Sequence, residues 1–250
     1  MSRETILGGF HAIGARLRHA PESIEVAYLD PSRRDARMRE LRQRLEAAGV
    51  RVVAADAQRL RGLAGDVPHQ GAVALARELE PKLDFDQLLD AITPRSLLLV
   101  LDGVTDPRNL GACLRVADAA GVQAVIVPRD RSAGLGVATL KAAAGAGESV
   151  PLISVTNLAR AITDLQAEGV RVVGAAGEAQ HSLYEIDQTG PFAWVLGAEG
   201  EGMRRLTRER CDALAAIPLL GAVESLNVSV AAGICLYESV RQRRAAGPAV

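Results

Sequence analysis

"SLLLVLDGV", residues 96–104, is the stretch on which the fold turns. Its apolar residues run from Leu97 to Leu101 with no polar residue between them, so a strand here leaves neither face to water. Five further runs share that character: "VQAVIVP" (122–128), "VPLISV" (150–155), "VRVVGAA" (170–176), "FAWVLGAE" (192–199) and "ALAAIPLL" (213–220). Helical segments separate most of them. Near-continuous Val, Ile and Leu runs alternating with helices predict a parallel sheet covered on both faces, hence an α/β domain over 96–250. Ligands of such sheets bind in the loops that leave the carboxyl ends of the strands.

Upstream, residues 1–76 alternate on a smaller scale. A short helix over 9–19 precedes a strand "SIEVAYLD", a helix "RRDARMRELRQRLEAAG", a strand "VRVVAAD", a short helix over 56–63 and a last strand "GAVALA". This predicts a compact α/β unit. Residues 77–95, "RELEPKLDFDQLLDAITPR", are acidic, hold two prolines and break the alternation, which reads as a linker with a short helix.

A chain of 250 residues holds one large domain or two modest ones, and its net charge of -1 points to no partner. Residues 1–76 carry twelve arginines and no lysine against nine acids, a mildly basic balance compatible with a phosphate-bearing partner. The six arginines from Arg33 to Arg44 are interleaved with Asp35 and Glu40, which favours a solvated helix face over an RNA-binding helix. Lys82 and Lys141 are the only lysines; codon bias explains that more simply than phosphate recognition by guanidinium forks. Aromatic residues make up 3% of the chain, too few for recognition by stacking many bases. Cys113, Cys211 and Cys235 form neither a metal-ligand spacing nor a disulfide framework, so no metal is expected and a reducing cytosol suits them. No stretch approaches a membrane span and the N-terminus lacks a signal pattern, so a cytoplasmic protein without membrane attachment is expected.

Three strand exits break the apolar pattern. After the first, in "DGVTDPRNLGACLRVADAAG", Asp106-Pro107 forces a turn and Asn109 reads as a helix N-cap. Leu110, Leu114 and Ala117 form the buried stripe, and Arg115 stands beside the small residues Gly111 and Ala119 with room to reach back toward the strand end. A surface arginine on an amphipathic helix would look the same. The second exit, "LGAEGEGM", sets Glu199 among Gly197, Gly200 and Gly202, which permit close backbone approach or positive φ. It fails the Walker pattern, and no G-x-G-x-x-G follows the first strand, which disfavours a dehydrogenase. The third, "GAVESLNVSVAAGICLYESVRQRR", opens an apolar helix with Glu224, Ser225, Asn227 and Ser229. Capping accounts for one of these polar residues; a buried amide beyond that costs free energy unless paired, so this helix is read as beginning in a site.

Together "DPRNLGACLR", "LGAEGEG" and "IPLLGAVESLNVSVA" resemble the motifs of the SpoU group of RNA ribose 2′-O-methyltransferases in the SPOUT superfamily. "GFHAI", "HQGAVALA" and "KAAAGAGESVPLISVTNLARAI" extend the resemblance to the ribosomal-RNA branch, over nearly the whole chain. The resemblance implies an α/β domain over 96–250 whose C-terminal segment forms a trefoil knot, an exception to the rule against threading. It also implies a small L30e-like RNA-binding domain over 1–76 and a homodimer. S-adenosylmethionine would lie among Leu196, Gly197, Gly200, Ile217, Leu219 and Leu226. Asn109, Arg115, Glu199, Ser225 and Asn227 would be catalytic, acting on a guanosine ribose of large-subunit rRNA in the peptidyl-transferase region. A guanidinium is effectively always protonated, so Arg115 is assigned to stabilising the incipient alkoxide, with Glu199 holding it in place. Asn109 would orient Arg115 or the ribose, and Ser225 and Asn227 would bond the ribose or the cofactor. Gly134, Gly136 and Ala144 replace polar residues of relatives, while Arg129, Arg131 and Lys141 read either as phosphate contacts or as ordinary surface charge. A tRNA enzyme of the same group and a ribosome-associated binder without turnover are the rival readings.

Overall fold

The computed structural model describes residues 4–65, 67–77 and 83–247, and the chain divides into two compact units, Met1–Glu80 and Pro81–Val250. The first contains β1 (Glu4–Gly8), α1 (Gly9–His19), β2 (Ile24–Leu29), α2 (Ala36–Ala47), β3 (Arg51–Ala54), α3 (Ala57–Ala64) and β4 (Ala72–Arg77). Its sheet runs β1-β4-β2-β3, with β4 antiparallel to both β1 and β2, and β2 parallel to β3. Side chains of β2 sort by alternation: Ala27 and Leu29 pack with Ile13, Met38 and Leu45, whereas Val26 and Tyr28 meet Leu60 and Ala64. Strand β1 is not among the elements expected from the sequence. "ETILG" is too short to show a period, and its strand state comes from pairing with β4, where Ile6 stands opposite Leu75. On α2, Met38, Leu41 and Leu45 are buried while Arg34, Arg37 and Arg39 beside and along it are exposed, as a solvated face requires.

The second unit contains α4 (Phe85–Asp90), β5 (Leu97–Asp102), α5 (Pro107–Ala120), β6 (Ala124–Pro128), α6 (Val137–Ala143), β7 (Leu152–Val155) and α7 (Leu158–Ala167). It continues with β8 (Arg171–Ala175), β9 (His181–Ser182), β10 (Phe192–Gly197), α8 (Arg205–Arg210), β11 (Ala213–Ala216) and α9 (Val228–Ala245). Within the stretch read as a linker, residues 78–82 lie outside the described residues; α4 carries a capping box between Asp84 and Gln87, and its Leu88 is fully buried in the core of this unit.

Seven strands form one sheet in the order β7-β6-β5-β10-β8-β11-β9, and every pairing is parallel. All six residues of β5 are buried. Leu97, Leu99 and Leu101 pack with Leu110, Leu114 and Leu236 on one face, and Leu98 and Val100 with Ile162 and Leu165 on the other. Burying each such side chain contributes about 1.5–3 kcal/mol. The chain reaches β10 only after β8, yet β10 lies between β5 and β8, and β11 lies between β8 and β9.

The sixth run, expected as a strand to Leu220, ends at Ala216. Strand β11 pairs with β8 as far as Ala215–Ala175, where β8 stops, and Pro218 has no N–H to donate. Residues 217–226 are neither helix nor strand.

Helix α9 is fixed at both ends. Near its C-terminus, Arg243 donates to four backbone carbonyls: Gln188 O at 3.0 Å, Arg95 O at 2.6 Å, Ser96 O at 3.0 Å and Gly190 O at 2.7 Å. Partial burial of this guanidinium lowers its pKa without threatening its charge. Between the ends, Ser239 and the fully buried Gln188 both accept from Trp194 Nε1. Arg243→Ala strips four carbonyls of a charged donor and is expected to lower stability by about 2 kcal/mol, read from urea unfolding followed by fluorescence of the single tryptophan.

Candidate active site

Strands β5 and β10 are neighbours, and their last residues, Asp102 and Gly197, stand opposite one another. The loops leaving these two strands therefore open at the same height, and the chain entering α9 completes the group.

The loop after β5 runs into α5 through Asp106, whose Oδ1 accepts from Arg108 N at 2.8 Å with Pro107 at the first helical position. Asp106, not Asn109, is thus the N-cap: a carboxylate before Pro takes the free N–H groups of the first turn, and Asn109 falls inside the helix. That shift leaves the Asn109 side chain available, and its Oδ1 accepts from Asn227 Nδ2 at 2.9 Å. Asn227 is itself the N-cap of α9. Its Oδ1 accepts from Ser229 N at 2.9 Å and Ser229 Oγ at 2.6 Å, which fixes the orientation of its amide. The same Nδ2 reaches Glu199 Oε2 at 3.5 Å. One amide therefore ties together residues 109, 199 and 227, one from each of the three exits.

This changes the reading of the polar start of α9. Asn227 serves as cap and as bridge, and Ser229 is satisfied by Asn227. Ser225 is exposed in the irregular segment. The amide of Asn109 retains both Nδ2 donors, since its only hydrogen bond among the described residues is through Oδ1.

Arg115 lies elsewhere. Six residues beyond Asn109, it is roughly 9 Å further along the helix axis. It is exposed and has no hydrogen-bond or ion-pair partner among the described residues. The expected support from Glu199 is absent there, because Glu199 faces Asn227. Gly111 is not an open floor beside Arg115 either: a Cβ at this position would come within 2.4 Å of Thr139 O, so its smallness serves the packing of α5 on α6.

The turn after β10 is closed by two backbone bonds, Ala198 N to Gly202 O at 3.2 Å and Gly202 N to Ala198 O at 2.9 Å. Gly200 and Gly202 have φ of 84° and 68°, which a side chain disfavours. At Gly197 the constraint is space, because a Cβ would lie 2.0 Å from Gly202 C and 2.2 Å from Met203 N. Leu196 is buried beneath this turn, Ile217 packs against the core, and Leu219 and Leu226 are half-buried. A backbone cradle that excludes a Cβ, beside half-exposed aliphatic groups and an irregular segment whose peptide groups lie outside the sheet, fits a nucleoside-bearing cofactor such as S-adenosylmethionine.

The loop after β6 joins the same end, since Ala133 N donates to Val104 O at 2.9 Å. Arg129, Arg131 and Lys141 are exposed on it and on α6, and Arg131 adopts a φ of 58°. The thiols offer no nucleophile. Burial pushes Cys113 and Cys235 up to about 12, and burial with the nearby charges of Asp212 and Asp102 does the same to Cys211. Among the described residues no group of three His, Cys, Asp or Glu side chains could hold a metal, and no helix is long and apolar enough to cross a membrane.

Sequence reasoning missed Asp102 and Arg204. Asp102 is 1% exposed, an acid at the end of a fully apolar strand, and that position was the available signal.

Residues 96–237 match the model of the SpoU rRNA methylase family, and residues 6–82 match that of RNA 2′-O ribose methyltransferase substrate binding. The chain is 60% identical over 243 residues to the 23S rRNA (guanosine-2′-O-)-methyltransferase RlmB of Ralstonia nicotianae, covering 97% of this chain and 98% of that protein. It is 56% identical to the enzyme of the same description from Bordetella pertussis, covering 98% of this chain and 100% of that one. Among solved structures, the SpoU methyltransferase AviRb from Streptomyces viridochromogenes superposes with a TM-score of 0.79 at 25% identity, covering 97% of this chain and 91% of that one. The same enzyme in complex with the cofactor AdoMet gives a TM-score of 0.77 at 25% identity, covering 96% and 91%. With matched regions spanning both of its units, this chain belongs to the SpoU rRNA methylase family.

Proposed function

We propose that this protein transfers a methyl group from S-adenosylmethionine to the ribose 2′-hydroxyl of a guanosine in 23S rRNA, in the peptidyl-transferase region. The observation that carries this reading is the Asn227 bridge, which brings Asn109 and Glu199 to one point beside the Gly197 turn. Full-length likeness to rRNA enzymes favours rRNA over tRNA.

When bound, S-adenosylmethionine supplies an electrophilic methyl carbon on a sulfonium. The ribose hydroxyl would be the acceptor of that methyl group, with its proton passing to a base such as a phosphate of the substrate. The chain's part is alignment and charge. The backbone around Gly197, Gly200 and Ile217, with Leu196, Leu219 and Leu226, holds the nucleoside. The two Nδ2 donors of Asn109 orient the ribose, and Glu199 and Asn227 keep Asn109 in place. Arg115 stabilises the developing alkoxide, and Ser225 bonds the ribose or the polar end of the cofactor.

Because Arg115 is distant from the Asn227 bridge along its own helix, a second copy of the chain completing the site accounts for its free guanidinium. Val230 and Tyr237, seven residues apart on α9 and 51% exposed each, together with Leu220 at 98% and Val223 at 63%, supply an apolar face for such a homodimer. Light scattering should then give twice 26.3 kDa, and Val230→Asp with Tyr237→Asp should halve it. A monomeric wild-type protein would remove this part of the reading. A trefoil knot at the C-terminal segment belongs to the same proposal, supported by the late insertion of β10 and β11 between earlier strands. Refolding as fast as an unknotted α/β domain of this size would count against it. A cytoplasmic location follows from an rRNA substrate.

Tritiated methyl transfer to unmodified 23S rRNA tests the function. Wild-type protein should label one guanosine ribose. Asn227→Ala, which cuts the bridge and the α9 cap, should reduce kcat about tenfold and stability by about 1 kcal/mol. Label on tRNA alone would move the assignment to the tRNA branch, and no label on either RNA would leave a binder.

A further inference from the structure

We infer that Asp102 is a positioning residue for this reaction, acting through Arg204 to hold the Glu199 turn at the mouth of the sheet. The inference rests on the site reading given above.

Asp102 closes β5 directly opposite Gly197 of β10. Its side chain is fully buried, whereas that of Arg204 is 45% exposed. Both carboxylate oxygens are used by one residue: Oδ2 accepts from Arg204 N at 2.9 Å, and Oδ1 accepts from Arg204 Nε at 2.6 Å. A carboxylate taken out of water is retained only where its oxygens are so paired. Such a pair can be merely structural, but its placement gives it a direction. Arg204 is the second residue after Gly202, and the backbone bonds that close the Ala198–Gly202 turn among the described residues run within the turn itself. Gly197, at the front of that turn, lies against Gly202 and Met203 too closely for a Cβ. The turn is thus held at its front by packing against its own rear, and at its rear by Asp102. Glu199 is the first residue within the turn and is reached by Asn227 Nδ2 at 3.5 Å, a distance already at the long end for a hydrogen bond. Any drift of residue 204 away from Asp102 moves both the wall of the cofactor site and the acceptor that supports the Asn109–Asn227 pair.

Asp102→Asn keeps one acceptor oxygen but turns an N–H toward a donor, so one of the two bonds to Arg204 is lost. Measured per folded molecule, this variant should raise the Kd for S-adenosylmethionine about tenfold and lower kcat about tenfold, leaving KM for a 23S rRNA fragment within twofold. A purely structural pair would lower the folded fraction and the melting temperature without moving Kd or kcat of the folded protein. Arg204→Ala should shift the same two constants in the same direction, and Arg204→Lys should restore part of the loss by presenting a cation to Oδ1. Wild-type Kd and kcat in folded Asp102→Asn overturn the inference. Should that variant fail to fold, unchanged constants in Arg204→Ala overturn it instead. Glu199→Ala separates the levels: if it retains full activity the site reading itself fails, and if it is inactive while Asp102→Asn and Arg204→Ala are normal, only the positioning role does.

Discussion

Arg115→Ala is expected to cut kcat for ribose methylation about a thousandfold, the upper part of the range for removing one preorganised donor at a developing oxyanion. S-adenosylmethionine binding should stay within twofold of wild type, because the residues placed around the cofactor lie on β10, on the turn after it and on the 217–226 segment. The variant should be as stable as the parent: Arg115 is exposed and makes no hydrogen bond or ion pair among the described residues, so truncation leaves nothing buried and unpaired. This combination is diagnostic. An ordinary surface arginine would leave kcat unchanged, and turnover within tenfold of wild type would assign Arg115 to the solvent. Arg115→Lys refines the test, since an ammonium keeps the charge without the planar fork.

The second large effect is at Gly197. A methyl group here would fall 2.0–2.3 Å from Gly202 C, Met203 N and Gly202 O, all backbone atoms, so no rotamer change relieves the contact. Gly197→Ala should displace the turn by the order of an ångström, which is enough to cost about a hundredfold in turnover, and should lower stability by about 1–3 kcal/mol from overpacking. Calorimetric titration should show cofactor binding weakened alongside turnover, in contrast to Arg115→Ala. Unaltered binding in Gly197→Ala would mean that this turn does not line the cofactor. Gly200→Ala, where no neighbour lies within 4 Å but φ is 84°, should be milder and limited to conformational strain.

The parallel sheet was legible because its strands are buried on both faces, and the run from Leu97 to Leu101 can meet that condition in few other ways. The paired cores confirm the reason residue by residue, with odd and even positions of β5 entering opposite layers. β1 was not legible: five residues of mixed character become a strand only when β4 lies alongside. The end of β11 was hidden likewise, since a strand stops where its neighbour does. At the site, the three exits were visible as polar residues in apolar surroundings, but their partners were not. Asn109 reads as a cap because Asn caps helices well, and Asp106 wins because it precedes Pro107 and accepts the next free N–H. The pairing of Glu199 with Asn227 and not Arg115 depends on where helix α9 begins, and Asp102 finds Arg204 at a separation of 102 residues. Sequence periodicity reports the environment of a residue, whereas a hydrogen bond across such a distance is set by the assembled fold.

The insertion of β10 between β5 and β8 has a consequence during synthesis. Until residues 192–197 leave the ribosome, β5 and β8 each present an open edge to the cell, and the proposed cofactor site lacks its Gly197 turn. A nascent or truncated chain ending before β10 therefore lacks every residue proposed to hold the methyl donor. The cap and bridge at Asn227 come later still, with the start of α9, so the proposed site is assembled from the last third of the chain onto strands already made.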